Sequence, residues 1–175
     1  MDFALQLPVN KLSFGQVSIC ILQEIYKKGL EPSLFPINQD VESFTLSPDF
    51  LKWLKSCIDK GPKQHKKENP VFMLWHLNAS GMNSVSNNRS MLSFYELDSP
   101  TKAEVNIASN VDKLFFTTNH SIDTFSNYGV ESELIHLGFD RYHFKKLDKK
   151  YFDDDRIVFN LCGKLEKRKR HKKVI

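Results

Sequence analysis

The chain is poor in cysteine and has no long apolar run, and each shortage removes a class of protein. Three cysteines, Cys20, Cys57 and Cys162, are too few and too far apart for a disulfide framework, and their spacing is not that of a metal site. Cys20 and Cys162 sit in apolar runs and read as buried thiols. No stretch approaches the roughly 18–20 apolar residues that a membrane span requires. The opening residues, Met1 to Leu7, have neither a basic n-region nor a signal-like apolar segment. The expectation is a cytoplasmic protein with no transmembrane segment, in which the sequons at Asn78, Asn88 and Asn119 are chance matches. Internal repeats and low-complexity tracts are lacking too, apart from a basic end.

What is present is a globular composition, 41% apolar with 14 phenylalanines in 175 residues, enough for one domain with a substantial core. Charge is unevenly spread. Residues 163–175 hold seven Lys/Arg and one Glu, a net +6 out of a total of +4, so residues 1–162 carry −2. The body is not basic, and a nucleic-acid partner is not expected.

Patterning predicts alternating strands and helices. Phe3–Val9 alternates as a strand, and 10–15 is a loop ending in Gly15. Val17, Cys20, Ile21 and Ile25 follow at helical spacing, with Gly29 as the stop. Residues 30–37 make a second strand. Ser47-Pro48 starts a second helix, as a Ser cap followed by Pro at the first helical position should, and 61–70 is a polar loop. Val71–Leu77 and Ser90–Leu97 are strands, Thr101–Val111 a helix and Lys113–Thr117 a strand. Asn119–Tyr128 is a helix ended by Gly129, and Glu133–Leu137 a strand. Strand alternating with helix predicts an α/β, Rossmann-like, largely parallel sheet with helices on both faces. Val71–Leu77 and Lys113–Thr117, nearly continuous apolar runs, are its expected central strands.

Near the end, the alternating run Arg156–Cys162 stops at Gly163 and passes into Lys164-Leu-Glu-Lys-Arg-Lys-Arg170. Strand, glycine, then a basic helix start suits a phosphate. The glycine permits close approach, free backbone N–H groups face the ligand, and lysines add charge. The competing reading is a solvated basic tail. Asp148–Asp155 is charged and reads as a linker, including Asp153, Asp154 and Asp155, which do not converge on a metal.

The order of these pieces resembles GT-B-fold glycosyltransferases, in particular retaining, group 1-like members. The matching residues are Leu114–Ser121, then Tyr128-Gly129-Val130, then Ile135–Asp140 with Phe144. Next comes Gly163-Lys-Leu-Glu-Lys-Arg-Lys169, where the family has Gly-Arg-Leu-x-x-x-Lys-Gly. Phe94–Pro100 is similar to the family's acidic loop, and Asn10–Gly15 to its glycine loop. Two departures stand out. Lys164 replaces an arginine and loses bidentate geometry, and the donor domain with its paired glutamates is not in these 175 residues.

The resemblance implies an acceptor-side domain over 1–147, a linker over 148–155 and a truncated start of the nucleotide-sugar-binding domain over 156–175. It implies transfer from a nucleotide-sugar donor, as substrate with no cofactor or metal, to an acceptor hydroxyl. Gly163, Lys164, Arg168 and Lys169 would hold the donor diphosphate, and a fragment of this kind would be inactive alone. His76 would face the cleft, or else be a structural histidine bonded to backbone. Glu96 and Asp98 would orient an acceptor hydroxyl, or else cap the helix after Pro100. Gly15 serves backbone conformation first and ligand approach second, and Asp140 is a turn residue. The rival readings are a stand-alone, non-catalytic Rossmann-like binding module and a nucleic-acid-binding protein with a basic tail.

Overall fold

The computed structural model describes residues 2–39, 46–78, 83–138 and 145–146. The chain divides into two units, Met1–Phe139 and Asp140–Ile175, and the first is described here by itself. The segment 156–175 and the residues Asp140, Cys162, Gly163, Lys164, Arg168 and Lys169 lie outside the described residues, as do Asp153, Asp154 and Asp155.

Ten elements follow one another as β1 (Ala4–Val9), α1 (Ser13–Lys27), β2 (Ser33–Gln39), α2 (Pro48–Gln64), β3 (Val71–Leu74), β4 (Arg89–Ser93), α3 (Lys102–Ser109), β5 (Lys113–Phe116), α4 (Asn119–Ser126) and β6 (Glu133–Leu134). The strands form one sheet, in the order β2-β1-β3-β4-β5-β6, and every pairing is parallel. The α/β, Rossmann-like expectation therefore holds.

Alternation along each strand divides the core into two layers. Leu5, Leu7 and Val9 of β1, Leu74 of β3 and Leu92 of β4 pack with Phe14, Ile19 and Leu22 of α1 and with Phe50, Trp53 and Leu54 of α2. Ala4, Val71, Met73, Met91, Leu114 and Phe116 point to the other face, against Ile107 and Ala108 of α3 and Phe125 of α4. A strand packed on both faces favours apolar residues throughout, and β3 reads VFML. The sequence puts Lys113–Thr117 at the centre of the sheet, but the structure corrects this. β3 and β4 are central, while β5 lies one strand in from the β6 edge, with Lys113 exposed.

Helix ends follow their capping residues. The Ser47 hydroxyl accepts from the Phe50 N–H at 3.3 Å, with Pro48 at the first helical position. Thr101 and Glu104 form a reciprocal capping box at α3. Gly129, at φ 75°, ends the turn after α4, where the Val130 N–H returns to the Phe125 carbonyl.

Helix α2 runs further than the polar loop expected from Gly61, continuing to Gln64 with Pro62 in its last turns. It lies along the outer edge of β2. The Trp53 indole donates to the Leu30 carbonyl at 3.0 Å, and Lys60 to the Glu31 carbonyl at 2.6 Å. A Cβ at Gly61 would come within 2.9 Å of the Leu34 carbonyl oxygen, so the glycine sets how closely helix and strand edge meet. Cys57, on this helix, is fully buried, whereas Cys20, expected to be buried, is half-exposed.

On the other face, residues 83–88 are anchored by the Gln6 amide donating to the Asn83 carbonyl and by His65, whose Nε2 lies 3.0 Å from both the Val85 carbonyl and the Ser86 hydroxyl.

Candidate functional site at the strand ends

In an open parallel sheet, ligands bind beyond the carboxyl ends of the strands, at the point where the strand order reverses. Here the chain goes from β1 outward to β2 and returns to β3 on the other side of β1. The switch point is therefore the gap between the ends of β1 and β3.

At the end of β1, the Asn10 amide oxygen accepts from the Leu12 N–H at 2.9 Å, and its amide nitrogen donates to the Asn38 carbonyl at 3.3 Å. This fixes a short turn into α1, whose N-cap position is Leu12 and carries no side-chain cap. Gly15, expected at the end of a loop, is instead in the first turn of α1. A Cβ there would collide with the Asn10 carbonyl, so glycine is required by close approach of helix to strand end, not by an unusual φ.

Phe14 faces inward from the same turn and organises an aromatic cluster. Its ring centroid is 4.4 Å from that of His76 and 4.4 Å from that of Phe94, stacked on the latter, and 6.0 Å from that of Trp75. Trp75 and His76 leave β3 and Phe94 leaves β4, so residues from two adjacent strand ends meet around a ring carried by the helix that follows β1. His76 is exposed, and among the described residues its ring nitrogens have no hydrogen-bond partner. Its backbone carbonyl accepts from the Asn78 N–H at 2.9 Å. Aromatic neighbours hold the ring and leave both nitrogens unbonded among the described residues.

Two further polar groups near these ends lack partners. The Trp75 indole nitrogen and the Tyr95 hydroxyl are buried without hydrogen bonds among the described residues. Burial, with smaller contributions from Glu104, Tyr128 and Asp98, pushes the Tyr95 hydroxyl above its usual range, so it stays a neutral donor.

Glu96 and Asp98 are both exposed on the segment following β4. Asp98 does not cap the next helix, since Thr101 does. Its carboxylate instead lies 3.3 Å from Nε2 of His120, at the start of α4. Thr118 and Ser121 have structural work: the Thr118 hydroxyl caps α4, and the buried Ser121 hydroxyl donates to the Tyr95 carbonyl at 2.9 Å.

The structure thus brings Gly15 and His76 to the switch point and puts Glu96 beyond the neighbouring strand, β4. The proposed diphosphate residues, Gly163, Lys164, Arg168 and Lys169, are outside the described residues. Sequence reasoning misses Phe14, Trp75 and His120. The usable signal for the first two is position, since each follows a strand end closely. Among the described residues no group of three or more His, Cys, Asp or Glu side chains is placed to hold a metal, and no helix is long and apolar enough to cross a membrane. No protein-family model matches the chain, and a search of curated proteins returns no match.

Proposed function

We propose that this chain is the acceptor-side part of a GT-B-type, nucleotide-sugar-dependent glycosyltransferase, and that the carboxyl edge of its sheet holds the acceptor. The observation that carries the reading is His76. It is an exposed imidazole whose nitrogens have no hydrogen-bond partner among the described residues, seated on Phe14 beside the switch point of an all-parallel sheet. The order of sequence features from Glu96 to Lys169 supports the same reading. In this proposal His76 hydrogen-bonds the acceptor or the sugar in the cleft, and Glu96 orients the acceptor hydroxyl. Gly163, Lys164, Arg168 and Lys169 take the donor diphosphate, whose charge grows as the glycosidic bond breaks.

The test measures binding of uridine and guanosine diphosphates and their sugar conjugates, and transfer from those conjugates, in the protein encoded by the complete reading frame. Lys164→Ala and Lys169→Ala should each weaken rate constant over Michaelis constant about ten- to a hundredfold, the worth of roughly 1.5–3 kcal/mol for a charged hydrogen bond. Lys164→Arg should be tolerated. His76→Ala should lower transfer while leaving diphosphate binding intact. Absence of nucleotide binding, or unchanged kinetics in both lysine variants, would overturn the proposal.

A further inference from the structure

The return from β3 to β4 carries no helix among the described residues, and its last part, 83–88, is irregular chain. Backbone groups there have no ladder to join, so side chains and neighbouring loops hold them. The Gln6 amide donates to the Asn83 carbonyl, the Asn87 N–H to the Lys67 carbonyl at 2.8 Å, and the Ser86 N–H to the Ser84 hydroxyl at 3.1 Å. Between these ties stands His65. Its Nε2 lies 3.0 Å from both the Val85 carbonyl and the Ser86 hydroxyl, and its ring is T-shaped against Phe35 of β2, with centroids 5.2 Å apart.

A carbonyl only accepts, so Nε2 carries the proton, and in the neutral ring Nδ1 is bare. That Nδ1 is buried and has no hydrogen-bond partner among the described residues. A second proton would go there. It would give charge to the Nε2–H bond and strengthen it, but it would also create a cationic N–H with nothing to donate to. An unpaired charged donor shut away from water loses more than a charge-assisted bond gains. The surroundings do not favour the cation either. Phe35, Val85, Ser86 and Gln6 do not titrate, and no ion pair among the described residues includes His65. The exposed charges of its own stretch, Lys63, Lys66 and Lys67 against Glu68, sum to +2. Arg89, just past the segment, donates to the Asn110 carbonyl.

We propose that 83–88 is an acid-released strap with His65 as its latch: the neutral ring holds Val85 and Ser86 in place, and the protonated ring lets them go. A histidine in an open chain takes its second proton at about pH 6.5, so mild acid is enough to work the latch. Trp75 and His76 begin the same connection. A role for the latch in sugar transfer rests on the glycosyltransferase reading; the latch itself does not.

The experiment follows amide hydrogen exchange of the full chain at about pH 5 and about pH 7.5, each rate divided by the open-chain rate at that pH. Protection at Ser86 and Asn87 should fall about tenfold at the lower pH, the worth of one net hydrogen bond, while Met73 and Leu74 of β3 keep theirs. His65→Gln, which can donate but does not titrate, should hold the strap equally at both pH values. His65→Phe, which keeps a ring without a donor, should leave it equally loose at both. Unchanged protection at Ser86 and Asn87 in wild type would overturn the proposal. So would a rise at the lower pH, the mark of a bond strengthened by charge. A fall that persists in both variants would trace to another group, and a fall shared by β3 would be general acid unfolding; either result also overturns it.

Discussion

A side chain at position 15 would occupy the space of the Asn10 carbonyl, and that exclusion sets how near α1 comes to the end of β1. Asn10 then ties the turn to β2 through Asn38, itself at a positive φ of 55°. Cys57 shows the opposite kind of constraint, where surroundings silence a reactive group. Burial and the Glu31 carboxylate, opposed by Lys60, push its thiol from 9.0 up to about 12. Between those values the unfolded chain loses this proton and the folded chain keeps it. The folded state then binds more protons, so stability contributed below pH 9.0 is lost as pH rises toward 12. Urea midpoints followed from about pH 8 to about pH 11 should fall less steeply in Cys57→Ala than in wild type. Parallel slopes would contradict this.

At the scale of elements, α3 is eight residues long and depends on its cap. The Thr101 hydroxyl accepts from the Glu104 N–H at 3.3 Å, and the Glu104 carboxylate accepts from the Thr101 N–H at 2.6 Å. Thr101→Ala should cost about 1 kcal/mol, read as a lower urea midpoint with unchanged slope. Such caps are legible in the residues alone: Ser47-Pro48 and Gly129 mark ends that the helices respect. The strands and helices of the described residues match the sequence pattern in type and order. Their ends do not. The apolar run from Val71 continues to Leu77, yet β3 ends at Leu74. Leu77 is still buried, because it fills the core from a loop, so hydrophobicity reports burial where pairing has stopped. Gly61-Pro62 looks like a break, but packing against β2 carries the helix through it.

At the scale of the whole molecule, two apolar layers clamp β1, β3 and β4, while β6 pairs over two residues only. Hydrogen exchange should be slowest at Leu5–Leu7, Met73–Leu74 and Met91–Leu92, and fastest among the strands at Glu133–Leu134. Protection of β6 equal to that of β3 would contradict this. The parallel sheet is legible because a doubly buried strand cannot hide its composition. The candidate site is legible only in part. His76 and Gly15 stand out by their positions after strands, but the cluster of Phe14, Trp75, His76 and Phe94 depends on strand order. Residues 14, 76 and 94 become neighbours only once β3 is inserted between β1 and β4.

The helix lying along β2 also bears on how copies of this protein meet one another. A sheet propagates as a polymer does, each unit offering a free flank to the next. On the β2 flank, Trp53 and Lys60 already occupy carbonyls just ahead of the strand, and Gly61 presses against one within it. The start of that flank is therefore blunted against an incoming strand. A strand arriving there would have to displace an indole and an ammonium group before it could pair. In polymer terms α2 acts as an inhibitor seated at the start of one growing end.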